Sequence, residues 1–217
     1  MNYEQARMNM IEQQIRPWEV LDQDVLSLLG ELHREDFVPQ SYRQLALADV
    51  NIPLPHGEVT MTPKMEARIL QSLAIEDSET ILEIGTGCGY FTALLARSGG
   101  IVHSVDIYED FSREAGEKLK QHGIDNLRLY TGDALHGWPS EAPYDVIAVT
   151  GSVPSRMPEY EEQLSVGGRL FVIVGESPIM DACLITRIGD DEWSREYLFE
   201  TDLPPLVGAA KTSTFEF

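Results

Sequence analysis

Residues 81–90 read Ile-Leu-Glu-Ile-Gly-Thr-Gly-Cys-Gly-Tyr, and this decapeptide limits the possible folds more than any other segment. A β-branched, apolar run ends at Ile84 and breaks into three alternate glycines, Gly85, Gly87 and Gly89. Phe91, Leu94 and Leu95 then begin a helical pattern. A strand that turns through glycines into a helix lets a ligand approach the backbone with no Cβ in the way. The helix offers its unpaired N–H groups and the positive end of its dipole to an anionic ligand group. Asp106 ends the next apolar run (Ile101, Val102, Val105), where a carboxylate is placed to bind two ribose hydroxyls. The pattern describes a nucleotide-cofactor site in an α/β fold.

Two positions separate the possible cofactors. A dinucleotide loop, G-x-G-x-x-G, needs glycine where Tyr90 stands. Glu83, two residues before the first glycine, is read as a carboxylate at the mouth of the loop. There it would repel a pyrophosphate and suit the cationic ammonium of S-adenosylmethionine (AdoMet). AdoMet is therefore expected over NAD. Gly132-Asp133 ends a third strand, and Asp133 is expected to accept a hydrogen bond from the adenine amino group. The expected cofactor contacts are Glu83, Gly85, Thr86, Gly87 and Gly89 around the loop, Asp106 with Ile107, and Asp133 with Ala134.

The rest of the chain supplies a frame for this site. Met8, Ile11 and Ile15 form one helical stripe that Pro17 stops, and a second helix follows the N-cap Asp22 with Val25, Leu28, Leu29 and Leu32. Residues 37–62 are rich in turn formers. Thr62-Pro63 opens a third helix, capped by the threonine, that buries Met65, Ile69 and Leu73. From residue 80 the pattern alternates: strands at 80–84, 101–106, 127–131, 144–149, 169–174, 182–188 and 195–201, helices near 90–98, 109–122 and 156–165. Val146–Val149 reads as a strand buried on both faces. Thr150-Gly151-Ser152 at its end should face the ligand crevice, and Gly189-Asp190-Asp191 marks a hairpin. The expectation is a seven-stranded, doubly wound, Rossmann-like AdoMet-methyltransferase sheet with an antiparallel terminal hairpin. Residues 1–75 form an N-terminal helical extension or lid, and residues 76–217 the AdoMet-binding domain.

Composition narrows the partners. With 36 acidic against 16 basic residues the formal charge is −20, a field that repels phosphate backbones and anionic lipid. Nucleic acid and membrane are not expected partners. No apolar stretch approaches the ~18 residues of a membrane span, and the N-terminal residues lack the basic and apolar regions of a secretory signal. A cytoplasmic location is expected. Cys88 and Cys183 lie far apart, and the five histidines show no metal-ligand spacing, so no metal is expected.

Several segments outside the cofactor loop carry a resemblance. Arg34-Glu35-Asp36-Phe37-Val38-Pro39, Ile52–Gly57, Ile81–Tyr90, Gly132-Asp133, Gly137–Pro139, Ala142–Asp145 and Leu164–Leu170 together resemble the protein-L-isoaspartate O-methyltransferases. The resemblance implies methyl transfer from AdoMet to a carboxylate of damaged, isoaspartyl-containing protein or peptide. In that family His-Gly is followed by Thr-Ile-Ser-x-Pro, whose serine lies at the methyl-transfer site. Residues 58–63 here read Glu-Val-Thr-Met-Thr-Pro, so Met61 stands at the serine position, and Glu66 replaces a histidine often found beyond the proline. Thr60 and Thr62, which flank Met61, are the candidate catalytic hydroxyls. Two other readings stay open: a methyltransferase with a different, small-molecule acceptor, and a cofactor-binding protein with little catalysis.

Overall fold

The computed structural model describes residues 2–209. The N-terminal segment contributes α1 (Tyr3–Met10), α2 (Gln23–Glu31) and α3 (Pro63–Leu73), and residues between α2 and α3 carry only short 3-10 turns. Asp22 caps α2 by accepting from the amides of Asp24 and Val25. Thr62 occupies the N-cap of α3, but its hydroxyl makes no capping bond. Of the Met8–Ile11–Ile15 stripe, Ile11 and Ile15 reach the core and Met8 does not. Met8 is exposed, while Met10, Ile15 and Arg7 are buried. A π turn over Ile11–Ile15, with its wider winding, brings Met10 and Ile15, five apart, onto one face.

From Thr80 strands and helices alternate: β1 (Thr80–Ile84), α4 (Tyr90–Ser98), β2 (Ile101–Asp106), α5 (Glu109–Gln121), β3 (Leu127–Thr131), β4 (Tyr144–Val153), α6 (Pro158–Glu162), β5 (Leu164–Glu176), β6 (Ile179–Gly189) and β7 (Glu192–Thr201). The sheet runs in the order β3-β2-β1-β4-β5-β6-β7. β1 to β5 pair in parallel, and β6 is antiparallel to both β5 and β7. Two successive hairpins therefore close the sheet where the sequence marked one. The helix read near 156–165 shrinks to the five residues of α6, because Leu164 already pairs with Tyr144 of β4. The register then jumps to Val146↔Arg169, and Gly167-Gly168 take up the extra length.

Alternation along the central strands fills two cores. Val146 and Ala148 face the core shared with α3, α4 and the N-terminal helices, while Ile147 and Val149 face a second core with Tyr160 and Leu164. Among the described residues no helix is long and apolar enough to cross a membrane. The sheet order reverses between β1 and β4. At such a switch point the connections on either side diverge, leaving a crevice beyond the strand ends.

Gly89, the N-cap of α4, shows how tightly this region is built. Its φ is +86°, and a Cβ there would lie 2.8 Å from the Ala115 Cβ and 3.2 Å from its Cα in α5. Backbone strain and the helix-to-helix clash act together. Gly89→Ala is expected to cost about 1–3 kcal/mol of unfolding free energy, which urea denaturation measures.

Candidate active site

A cleft opens at the switch point. One wall is the glycine turn after β1. Gly85 has φ +103°, and a Cβ on it would fall 2.2 Å from Thr150 Oγ1. That hydroxyl donates to the carbonyls of Ile84 and Gly85 at 2.9 and 2.7 Å, tying the turn to β4. Gly85, Thr86 and Gly87 line the cleft, as do Asp106 and Ile107 after β2, Asp133 and Ala134 after β3, and Thr150 and Gly151 of β4. Asp106 accepts from the amides of Gly87 and Tyr108, both at 2.9 Å. Burial nonetheless raises its pKa, with those amide bonds opposing the shift. Asp133 accepts from the Leu135 amide, a local turn that leaves its side chain at the surface.

Two of the expected cofactor residues sit elsewhere. Gly89 is not on the cleft wall; the α4–α5 contact explains it instead. Glu83 lies beneath the loop rather than at its mouth. It is fully buried, and one carboxyl oxygen accepts from Thr92 and Ser104 at 2.5 and 2.6 Å while the other has no partner. Burial pushes its pKa up to about 8, against the pull of those two hydroxyls. Sequence reasoning set a counter-charge here; at pH 7 the fold holds this group mostly as a neutral acid.

The opposite wall comes from the segment before α3. Leu54, Glu58, Val59, Thr60 and Met61 line the cleft. This strap closes on itself through a bridge between Pro53 and Val59. Its tip is fastened across the crevice: the His56 ring stacks on Tyr108 with centroids 3.9 Å apart and planes 4° from parallel. His56 Nε2 also lies 2.9 Å from an Asp110 carboxylate oxygen, and that hydrogen bond lowers the Asp110 pKa. Glu58, also on the strap, has its pKa raised by burial and by Asp106.

The base of the strap is held by Arg34. Its guanidinium donates to both Glu66 carboxylate oxygens at 2.9 and 3.2 Å, to the Ala46 carbonyl at 2.6 Å, to Thr60 Oγ1 at 3.1 Å and to the Met61 carbonyl at 2.7 Å. Burial works against the charge on both members. It pushes the Glu66 carboxyl up, while Glu66 outweighs the effect on Arg34, whose pKa ends above its ordinary value. Thr60 Oγ1 also accepts from the Ile52 amide, so the scaffold fixes this oxygen through two accepted bonds and leaves the hydroxyl hydrogen uncommitted. Thr62 Oγ1 is buried without a partner, and Thr62 is not among the cleft residues. Met61 is on the wall and 5% exposed.

Two further contributors escape sequence reasoning. Tyr108 and Phe111 complete the wall beside Ile107, and the tail Leu203–Val207 crosses the end of β4. Ser152 holds that tail through bonds with Leu203, Pro204 and Leu206. A short Leu-Pro-Pro-Leu segment has no periodicity by which a sequence could place it.

A sheet of this order, with a glycine turn after β1 and carboxylates after β2 and β3, is the Rossmann-like fold of the AdoMet-dependent methyltransferases. Within that class the chain belongs to the protein-L-isoaspartate(D-aspartate) O-methyltransferase family, whose sequence model matches residues 5–211. It is similar to Protein-L-isoaspartate O-methyltransferase 2 of Pelobacter propionicus, 37% identical over 96% of this chain and 93% of the relative. The Protein-L-isoaspartate O-methyltransferase of Brucella anthropi is 36% identical over 95% of each. A solved protein-L-isoaspartate O-methyltransferase superposes with a TM-score of 0.78 at 25% identity, over 94% of this chain; the match spans 66% of that chain's length. A Plasmodium falciparum protein named as a member of the same family, in complex with S-adenosyl-L-homocysteine, gives 0.76 at 18% identity over 95% of this chain and 98% of its own, a likeness of fold.

The buried Glu83 sets a pH dependence. Its folded pKa lies above the ordinary 4.5, so its contribution to stability is whole below that value and is lost as pH rises through about 8. Wild-type stability should therefore fall by on the order of 3–5 kcal/mol from this group between pH 4.5 and pH 8. Glu83→Gln removes that slope, and urea unfolding of both proteins at several pH values across the window checks it.

Proposed function

We propose that the protein is a protein-L-isoaspartate O-methyltransferase that transfers the AdoMet methyl group to the carboxylate of isoaspartyl residues in damaged protein. The observation that carries this reading is the meeting of two walls. Residues 58–61, within the segment where the family resemblance places the acceptor, line the same cleft as Gly85, Thr86, Gly87, Asp106 and Asp133. In this reading Gly85, Thr86 and Gly87 accept the cofactor's methionine portion, Asp106 and Ile107 its ribose, and Asp133 and Ala134 its adenine. Glu83 shapes the loop from below, and Gly89 sets the start of α4. Residues 1–75 act as the cover that brings the acceptor segment to the cofactor.

The chemistry asks little of side chains. A carboxylate is already nucleophilic at neutral pH, so the protein's task is alignment of its oxygen with the sulfonium methyl and exclusion of water. The strap supplies both, because it closes over the cleft and brings apolar Leu54, Val59 and Met61 to it. Both cysteines are unbonded, which suits a reducing cytoplasm, where such a repair enzyme would meet aged protein.

Incubation with methyl-labelled AdoMet and an isoaspartyl peptide should give a base-labile methyl ester, and the normal aspartyl peptide should stay at background. Label transferred to neither peptide would refute the reading. Asp106→Ala should weaken binding of AdoMet and its demethylated product by about 1–3 kcal/mol, because ribose hydroxyls lose their acceptor in a partly buried site. Calorimetry measures it, and unchanged affinity would remove Asp106 from the ribose contact.

A further inference from the structure

Among the described residues four carboxylates line the cleft, those of Glu58, Glu66, Asp106 and Asp133. The protein engages three of them: Glu66 through Arg34, Asp106 through the amides of Gly87 and Tyr108, and Asp133 through the Leu135 amide. Glu58 differs. Among the described residues its half-buried side chain has no hydrogen-bond or ion-pair partner. Its backbone is nonetheless fixed, because the Glu58 amide donates to the Pro55 carbonyl at 3.2 Å and its carbonyl accepts from the Leu54 amide at 2.8 Å. Two residues back, His56 stacks on Tyr108, whose own amide donates to Asp106. That contact brings Glu58 and Asp106 to the same stretch of the cleft from its two walls. After burial, Asp106 is the next cause that raises the Glu58 pKa, and His56 opposes it. A carboxylate with no partner beside a second one is a cost to the protein alone, which a ligand that donates hydrogen bonds would relieve.

We infer that Glu58 is a further cofactor-binding residue, which accepts a hydrogen bond from a ribose hydroxyl of AdoMet opposite Asp106. The inference rests on the reading of Asp106 as the ribose contact. A ribose brings two neighbouring O–H donors. Asp106 already gives one acceptor site of each oxygen to an amide, whereas Glu58 keeps all of its about four lone-pair sites free. With a hydroxyl on each side, the sugar separates the two charges and joins the strap to the turn after β2. The strap then helps to hold the methyl donor as well as to face the acceptor. Such a residue lowers the stability of the protein alone and raises its affinity for the cofactor, a combination that separates it from a structural residue.

The test uses Glu58→Gln, which keeps a neutral acceptor, and Glu58→Leu, which has none. Calorimetry with S-adenosyl-L-homocysteine at pH 8 should show affinity lower by about threefold for Glu58→Gln and about tenfold for Glu58→Leu, as expected for one hydrogen bond to a charged group. The 2′-deoxy and 3′-deoxy forms of that ligand identify the bond. One of them should bind wild type about tenfold more weakly than the parent, and this preference should shrink to about threefold or less in Glu58→Leu. Without ligand, Glu58→Gln should unfold at a higher urea midpoint than wild type at pH 8. The gain should fade toward pH 4, because a group with a raised folded pKa loses its contribution to stability as pH rises. Unchanged affinity in both variants or an unaltered deoxy preference overturns the inference. So does a lower midpoint for Glu58→Gln at pH 8, because Glu58 is then structural. Unchanged affinity together with a KM raised only for an isoaspartyl peptide that carries a neighbouring lysine also overturns it, and assigns Glu58 to the acceptor. If Glu58→Leu does not fold, the affinity and midpoint of Glu58→Gln decide. Unchanged affinity in Asp106→Ala sinks the ribose placement and this inference together. Weakened binding in Asp106→Ala with none in the Glu58 variants sinks the inference alone.

Discussion

The buried pair of Arg34 and Glu66 is the interaction on which the site's geometry depends. Both side chains are almost fully excluded from water, and burial opposes the charge on each. The pair holds because the guanidinium meets two carboxylate oxygens, two carbonyls and a hydroxyl, so no charge is left uncompensated. Removing one partner would strand the other, a loss of about 3–5 kcal/mol for pairs of this kind. Its more specific effect is positional. Arg34 joins the turn after α2 to the Thr60–Met61 wall and to the first turn of α3, and it lies 5.6 Å from the centroid of the Tyr90 ring that begins α4. The Thr60–Met61 wall and the helix leaving the glycine turn are referenced to one side chain.

The strap inherits its position from that anchor. Fixed at Thr60 and Met61, it reaches across the crevice, and His56 settles on Tyr108 and Asp110 at the far side. His56 adopts φ +61°, a left-handed conformation that a non-glycine residue takes at some cost. Stacking on Tyr108 and the bond to Asp110 offset it. The cleft is thus bounded by one element built for backbone contact, the glycine turn, and one built for side-chain contact, the strap.

The glycine-turn side of the cleft was legible because its residues line the cleft close to where they stand in the chain. Gly85, Thr86, Gly87, Asp106, Ile107, Asp133 and Ala134 all reach the cleft, since each lies at the C-terminal end of a parallel strand or in the turn just beyond. Glu83 and Gly89 were read by the same rule and fell outside it. A residue one step back along a buried strand can point into the sheet's packing, and Glu83 does so toward Thr92 and Ser104. Gly89 serves a helix contact that involves Ala115, distant in sequence. Met8 alone left its stripe, and Met10 joins Ile15 in the core across a π turn that no 3.6-residue period anticipates.

By itself the sequence determined the β-α alternation, the glycine turn after β1 and the family. These are properties of short segments, set by periodicity, glycine and the chemistry of individual side chains. Only the tertiary structure decided that Glu83 is an interior acid, that Thr60 Oγ1 accepts from Arg34 and Ile52, and that Thr62 stands off the cleft. It alone paired Arg34 with Glu66 and laid the tail Leu203–Val207 along the site. Burial, ionisation and the direction of a hydroxyl are fixed by what packs around a group. Those neighbours come from segments far apart in the chain, which no local pattern in the sequence records.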